Sequence, residues 1–157
     1  MSIDDLKSLM DAFDPATLLP EMDSLLGNLS TILRIAVLVG PAVLLVMGLV
    51  YLLAAPKEAN YYLGYRCYFG MGSIEAWRYT QRIAGLAWSL LGLILTVFMF
   101  LKTGNFDQLE VQDLLYTAMA CILWEAGIVA VSCIGINILV MFNFTADGEL
   151  RRRNETK

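Results

Sequence analysis

The sequence predicts an all-α integral membrane protein with three transmembrane helices preceded by an N-terminal amphipathic helix. Hydrophobic residues make up 58% of the 157 residues, whereas roughly 45–50% is usual in a soluble domain. The mean hydropathy is +0.62, and the charged residues, 17% of the chain, cluster between long apolar runs. A soluble core of this size cannot enclose so many unbroken apolar stretches, so the predicted environment is a lipid bilayer.

The N-terminal segment, residues 1–28, is acidic and carries six carboxylates and a single Lys. Its apolar residues share one arc of a helical wheel, which predicts an amphipathic helix that ends near Pro15. The arc comprises Ile3, Leu6, Leu9, Met10 and Phe13, and Asp4, Asp5 and Asp11 lie outside it. Two interpretations stay open: the helix lies on the outer membrane surface, or it packs against a partner or over the mouth of the helix bundle.

Three apolar windows are each long enough to cross the hydrocarbon core of a bilayer, which takes about 20 helical residues. They cover residues 31–53, 83–101 and 114–144. The third window is longer than a span requires, which predicts a tilted or projecting helix, and it contains one charge, Glu125. Residues 29–145 are therefore the predicted three-helix membrane domain.

The distribution of Lys and Arg predicts the orientation of the helices, because cytoplasmic segments carry an excess of positive charge. Three of these residues belong to the side that holds the N-terminus: Lys7, Arg34 and Lys102. Eight belong to the other side: Lys57, Arg66, Arg78, Arg82, Arg151, Arg152, Arg153 and Lys157. We expect the loop 56–82 and the basic tail 146–157 to be cytoplasmic, with the N-terminus outside.

The sequence lacks the residues that several kinds of metal, catalytic and nucleotide-binding site require. There is no His, and the three cysteines, Cys67, Cys121 and Cys133, form no CxxC pair, so we expect unpaired thiols and no zinc or haem site. No nucleophile and base pair, Walker loop or dinucleotide-binding fingerprint is visible. We therefore expect a protein that is not an enzyme, with no cofactor, no metal and no nucleic-acid partner.

The loop 56–82 is too long and too aromatic for a simple connector between two helices. Its glycines stand at turn-like points, and its tyrosines favour the headgroup layer of a membrane. Ser73 is predicted to cap a helix that begins near Ile74. On that helix Trp77 and Gln81 are four residues apart and share a face.

The spacing of the loop residues resembles the signature of the SdpI-type immunity proteins, a family of bacterial membrane proteins. The matching residues are Asn60, Gly64, Tyr65, Arg66, Glu75 and Trp77, with a polar amide four residues later at Gln81. The arrangement of spans is also similar, with one helix before the motif and two after it. Five positions depart from the family pattern: Cys67 replaces Thr, Gly70 replaces Ser, Ser73 replaces Asn, Thr80 replaces Ala, and Gln81 replaces Asn.

The resemblance implies a multi-pass protein of the bacterial cytoplasmic membrane that gives immunity to a toxic peptide, or that senses or sequesters a ligand or cytoplasmic regulator in signal transduction. The candidate ligand site then comprises the motif residues Asn60, Gly64, Tyr65, Arg66, Glu75, Trp77 and Gln81. Arg66 lies between two tyrosines and can pair with Glu75 or bind the phosphate of an anionic lipid headgroup. The alternative is that Arg66, Glu75 and Asn60 hold the loop against the bundle.

Glu125 is the second candidate, because an ionisable side chain near the middle of a membrane span is costly and commonly functional. Together with Ser132 and Arg34 it forms the candidate intramembrane polar site. Three accounts stay open: Glu125 is protonated and hydrogen-bonded, it pairs with Arg34, or it lines a polar cavity for a proton or small ligand. A small transporter or transporter subunit that uses Glu125 is thus one alternative function, and a structural subunit of a membrane assembly is another.

Small residues four apart, Gly85 with Ser89 and Ala126 with Ala130, are the predicted helix contacts. They allow a homo-oligomer without requiring one.

Overall fold

The computed structural model describes residues 15–59 and 62–151, with side chains from residue 27 onward. Three long helices account for most of this part of the chain: α1 (Pro15–Leu53), α2 (Ile74–Thr103) and α3 (Val111–Asn143). Single 3₁₀ turns, Phe69–Met71 and Phe106–Gln108, lie in the two connections. The predicted amphipathic helix of the N-terminal segment, which carries the apolar arc from Ile3 to Phe13 and ends near Pro15, lies outside the described residues.

All three helices are long and apolar enough to cross a membrane, which confirms the predicted three spans. Their outer faces carry large apolar side chains that no other part of the described chain covers, among them Ile35, Val46, Leu93, Phe100, Leu123 and Ile134. In water such a surface would promote aggregation, whereas lipid tails cover it at no cost. The chain is therefore an all-α membrane protein.

The start of α2 lies well before the predicted apolar window because a capped, amphipathic segment precedes that window. The Ser73 hydroxyl accepts a hydrogen bond from the backbone N–H of Ala76 at 3.1 Å, as the predicted cap requires. In the first two turns Trp77 and Gln81 are buried, whereas Arg78 and Arg82 are exposed. Only one face of this segment packs against the rest of the protein, unlike the uniformly apolar window that follows it.

Close contacts at glycines hold α1 and α2 together in an antiparallel pair. A Cβ at Gly48 would lie 2.3 Å from the backbone nitrogen of Ser89, and one at Gly92 would lie 2.4 Å from that of Leu45. Gly85 is similarly close to Leu52. The predicted contact through Gly85 and Ser89 is thus confirmed within one chain, whereas Ala126 and Ala130 face outward on α3 and their contact stays a prediction.

The interior consists of two apolar clusters, one toward each end of the bundle. The motif-end core comprises Tyr51, Tyr65, Ala76, Ala84, Ile136, Val140 and Phe144. The far-end core comprises Val37, Met99, Phe106, Leu114, Ala118 and Cys121. On α3, Glu125 lies between the last residue of the far-end core and the first of the motif-end core.

Candidate functional site

The Gln81 side chain fixes the loop to α2 through two hydrogen bonds with one residue. The backbone N–H of Tyr65 donates to Gln81 Oε1 at 2.8 Å, and Gln81 Nε2 donates to the Tyr65 carbonyl at 2.7 Å. Both residues are buried. A carboxamide is suited to this contact because it carries a donor and an acceptor side by side.

Gly64 and Trp77 complete this contact. Gly64 has φ +122°, a conformation that favours glycine, and a Cβ there would lie 2.7 Å from two atoms of the Trp77 ring. Trp77 is fully buried, and its indole N–H donates to the carbonyl of Pro56 at 2.9 Å. We call Gly64, Tyr65, Trp77 and Gln81 the loop clamp.

The Tyr65 side chain extends the clamp to α3. Its hydroxyl lies 3.1 Å from the carbonyl of Cys133 and 3.2 Å from Asn137 Oδ1, and both are acceptors for it. The ring packs edge-on against Trp88 with 5.3 Å between centroids, and the Trp88 indole N–H donates to Ser132 Oγ at 3.2 Å. Burial raises the pKa of Tyr65, so the hydroxyl stays a neutral donor at physiological pH.

The charged residues of the motif are not part of the clamp. Arg66 and Glu75 are exposed, and Glu75 shares the exposed face of the first turns of α2 with Arg78 and Arg82. Asn60, the remaining motif residue, lies outside the described part of the chain. The structure therefore divides the predicted site into a buried clamp and an exposed set of charges.

Three of the departures from the family pattern lie against one another. A Cβ at Gly70 would lie 2.4 Å from Thr80 Oγ1 and 2.8 Å from Cys67 Sγ. Thr80 is fully buried and donates to the carbonyl of Ala76 at 2.8 Å. Burial raises the pKa of the Cys67 thiol, so it stays protonated near neutral pH. The pattern has hydroxyl side chains at residues 67 and 70 of the loop, whereas this chain has one at Thr80 on the helix.

The intramembrane candidates are not brought together. Arg34 Nη2 donates to Asp107 Oδ2 at 2.9 Å, and Ser30 Oγ donates to Asp107 Oδ1 at 2.6 Å. The ion pair of Arg34 with Glu125, one of the three accounts, is therefore wrong, because Asp107 in the short connection after α2 is the closer carboxylate. Ser132 is instead bonded to Trp88 near the motif end.

Glu125 itself faces α1. Its side chain is 7% exposed, and Oε1 is buried with no hydrogen-bond partner among the described residues. Oε2 would lie 2.8 Å from a Cβ at Gly40, so the absence of a side chain at Gly40 makes room for the carboxyl group.

A comparison with protein-family models matches residues 56–142 to the SdpI/YfhL protein family. The match covers more than half of the chain, including the whole motif loop, α2 and nearly all of α3. This chain belongs to the SdpI/YfhL family. A search of curated proteins and a search of solved structures each found no match.

In this SdpI family member, several contacts of the candidate sites involve residues that the sequence did not indicate. Asn137 and Trp88 meet the Tyr65 side chain, and Pro56 receives the Trp77 indole. Asp107 and Gly40 contact Arg34 and Glu125. Only the proximity of Pro56 to the motif was visible in the sequence, because the other contacts join segments that are distant along the chain.

Proposed function

We propose that this SdpI family member is a membrane immunity or sensor-type protein that recognises a toxic peptide at the bacterial cytoplasmic membrane. Family membership over the motif loop is the observation that supports it. The same loop and tail offer a surface for sequestering a cytoplasmic regulator. In this proposal the loop 56–82 and the C-terminus are cytoplasmic and the N-terminus is outside, as the distribution of Lys and Arg predicts.

The division of the motif suggests how recognition would work. The loop clamp fixes the backbone at Tyr65, so the adjacent Arg66 is presented from a rigid position. A guanidinium group binds a carboxylate or phosphate through two parallel hydrogen bonds, and a fixed backbone lowers the entropy lost on binding. Arg78 and Arg82, with Glu75, form an exposed charged face on the adjoining turns of α2. A peptide with an acidic group or a free carboxyl terminus fits this surface.

The test is survival of a toxin-sensitive bacterial strain that expresses the full chain and is challenged with the sporulation-delaying cannibalism toxin and related membrane-active peptides. We expect the wild-type chain to raise survival and Arg66→Ala to abolish the gain. Lys57→Ala is the matched control, because Lys57 is an exposed cation of the same loop outside the motif. Immunoblots of membranes confirm equal amounts of each variant. Absence of protection against every peptide, or full protection by Arg66→Ala, would contradict the proposal.

A small transporter or transporter subunit is the second candidate, and the buried Glu125 favours it. Here the chain in proteoliposomes should dissipate an imposed pH gradient, and Glu125→Gln should remove that flux. Glu110→Gln, at an exposed carboxylate just before α3, is the control. A flux that Glu125→Gln leaves unchanged would exclude this role for Glu125.

A further inference from the structure

Pro41 interrupts the hydrogen bonding of α1 in the middle of its membrane span. Proline has no backbone N–H, so the carbonyl of Val37, four residues earlier, loses its usual helical partner. Val37 and Pro41 are both fully buried. Water cannot supply the missing donor there, and an unpaired carbonyl inside a bilayer is costly.

A carbonyl without its helical donor and a carboxyl oxygen without a hydrogen-bond partner thus occur where α3 meets the same turn of α1. The Glu125 carboxyl lies against Gly40, the residue next to Pro41, and Oε1 has no hydrogen-bond partner among the described residues. If Glu125 were ionised, its carboxylate would be a second acceptor without a donor, in addition to the Val37 carbonyl. A protonated carboxyl group would instead supply the donor that the open turn lacks.

Among the described residues, the hydroxyl donors of α1 and α2 near this point are engaged or missing. Residues 35–50 of α1 contain no polar side chain. On α2, the Ser89 and Thr96 hydroxyls donate to the carbonyls of Gly85 and Gly92 in their own helix.

We propose that Glu125 and the turn 37–41 of α1 form a proton-binding site in the middle of the membrane. Glu125 binds the proton and, as a carboxylic acid, donates its O–H to the Val37 carbonyl that Pro41 leaves open. Loss of the proton places a negative charge against backbone carbonyls and weakens the contact of α3 with α1. This inference concerns a proton equilibrium and is independent of the immunity function.

The charged groups that face this point are few. Between Arg34 and Tyr51, α1 has no ionisable residue, and α2 has none between Arg82 and Lys102. Arg34 is paired with Asp107 through Nη2, and its buried Nε has no hydrogen-bond partner among the described residues. On α3 the nearest ionisable side chain is the thiol of Cys121, one turn away. Lys102 lines the same groove between α2 and α3 as Cys121 and would compete with the proton by forming an ion pair with Glu125.

The test uses the full chain in lipid nanodiscs and dicyclohexylcarbodiimide, an apolar reagent that modifies protonated carboxyl groups. Mass spectrometry should locate the modification at Glu125 at neutral pH, with labelling that falls as the pH is raised. Infrared difference spectra should show a carboxylic-acid C=O band that Glu125→Gln removes. Lys102→Met should leave both signals unchanged.

Pro41→Ala tests the partner. It restores a backbone N–H to the Val37 carbonyl, so the proton on Glu125 loses its acceptor and the labelling midpoint should move down by about one pH unit, the equivalent of one hydrogen bond. Size-exclusion profiles verify that each variant is folded. A carboxylate that is ionised at neutral pH, or labelling that appears only in Lys102→Met, would overturn the proton site. An unmoved midpoint in Pro41→Ala would overturn the assignment of Val37 as acceptor.

Discussion

At the scale of single residues, the two hydrogen bonds of Gln81 explain why an amide side chain suits this position of the motif. Its oxygen accepts from the Tyr65 N–H and its nitrogen donates to the Tyr65 carbonyl. A carboxylate at the same place would keep the acceptor and repel the carbonyl, and an aliphatic side chain would satisfy neither group. The family pattern has Asn here, and Gln keeps the same pair of functions with one more methylene.

Gln81→Leu should therefore destabilise the protein strongly. It removes two hydrogen bonds and leaves the buried N–H and carbonyl of Tyr65 without partners, which together cost about 2–4 kcal/mol. The free energy of unfolding in detergent micelles measures the effect. Gln112→Leu makes the same chemical change at an exposed position of α3 and should stay within about 0.5 kcal/mol of wild type. Equal stability of the two variants would show that the clamp contributes nothing.

At the scale of secondary-structure elements, the loop has two hydroxyl groups fewer than the family pattern and α2 has one more. Cys67 and Gly70 on the loop replace Thr and Ser, whereas Thr80 on the helix replaces Ala. The Thr80 hydroxyl occupies the space that a side chain at residue 70 would need. Because the three departures lie against one another, we expect them to compensate one another rather than to act as independent changes.

This arrangement predicts a strong coupling between two substitutions. Gly70→Ser alone should destabilise the chain by about 1–3 kcal/mol, because its Cβ would overlap the Thr80 hydroxyl. In combination with Thr80→Ala, most of that loss should be recovered, which a double-mutant cycle in detergent detects as a coupling energy of about 1 kcal/mol or more. Strictly additive effects would mean that the two positions are independent.

At the scale of the whole molecule, the sequence was sufficient for the helices and for the close contact at Gly85 and Ser89, but not for the partners of the polar side chains. Uniform apolarity identified the spans, and the Ser73 cap and the shared face of Trp77 and Gln81 followed from local rules. These features depend on residues within a few positions of one another.

The partners of the candidate sites could not be predicted in the same way. Arg34 bonds Asp107 and Tyr65 bonds Asn137 across more than 70 residues of sequence. Such contacts depend on the rotation and register of whole helices, which a single sequence with apolar residues on every face does not specify. A membrane helix lacks the polar side that reveals orientation in soluble proteins.

The proposed topology is itself a testable property of the whole molecule. A green fluorescent protein fused after Lys157 should fluoresce, and alkaline phosphatase fused there should be inactive, because the C-terminus is expected to be cytoplasmic. Alkaline phosphatase inserted after Gly104, in the connection between α2 and α3, should be active. The reverse pattern of activities would invert the orientation and place Arg66 outside the cell.

The turn that follows α3 returns to the start of α2. The Ser73 hydroxyl, which caps α2, also donates to the carbonyl of Gly148 at 2.7 Å, and a Cβ at Gly72 would lie 2.6 Å from the Gly148 nitrogen. During synthesis, Gly148 leaves the ribosome 75 residues after Ser73. The loop therefore reaches its final structure only after all three helices have been made, and a ribosome that stalls within α3 leaves a chain whose motif is complete in sequence but unfinished in structure.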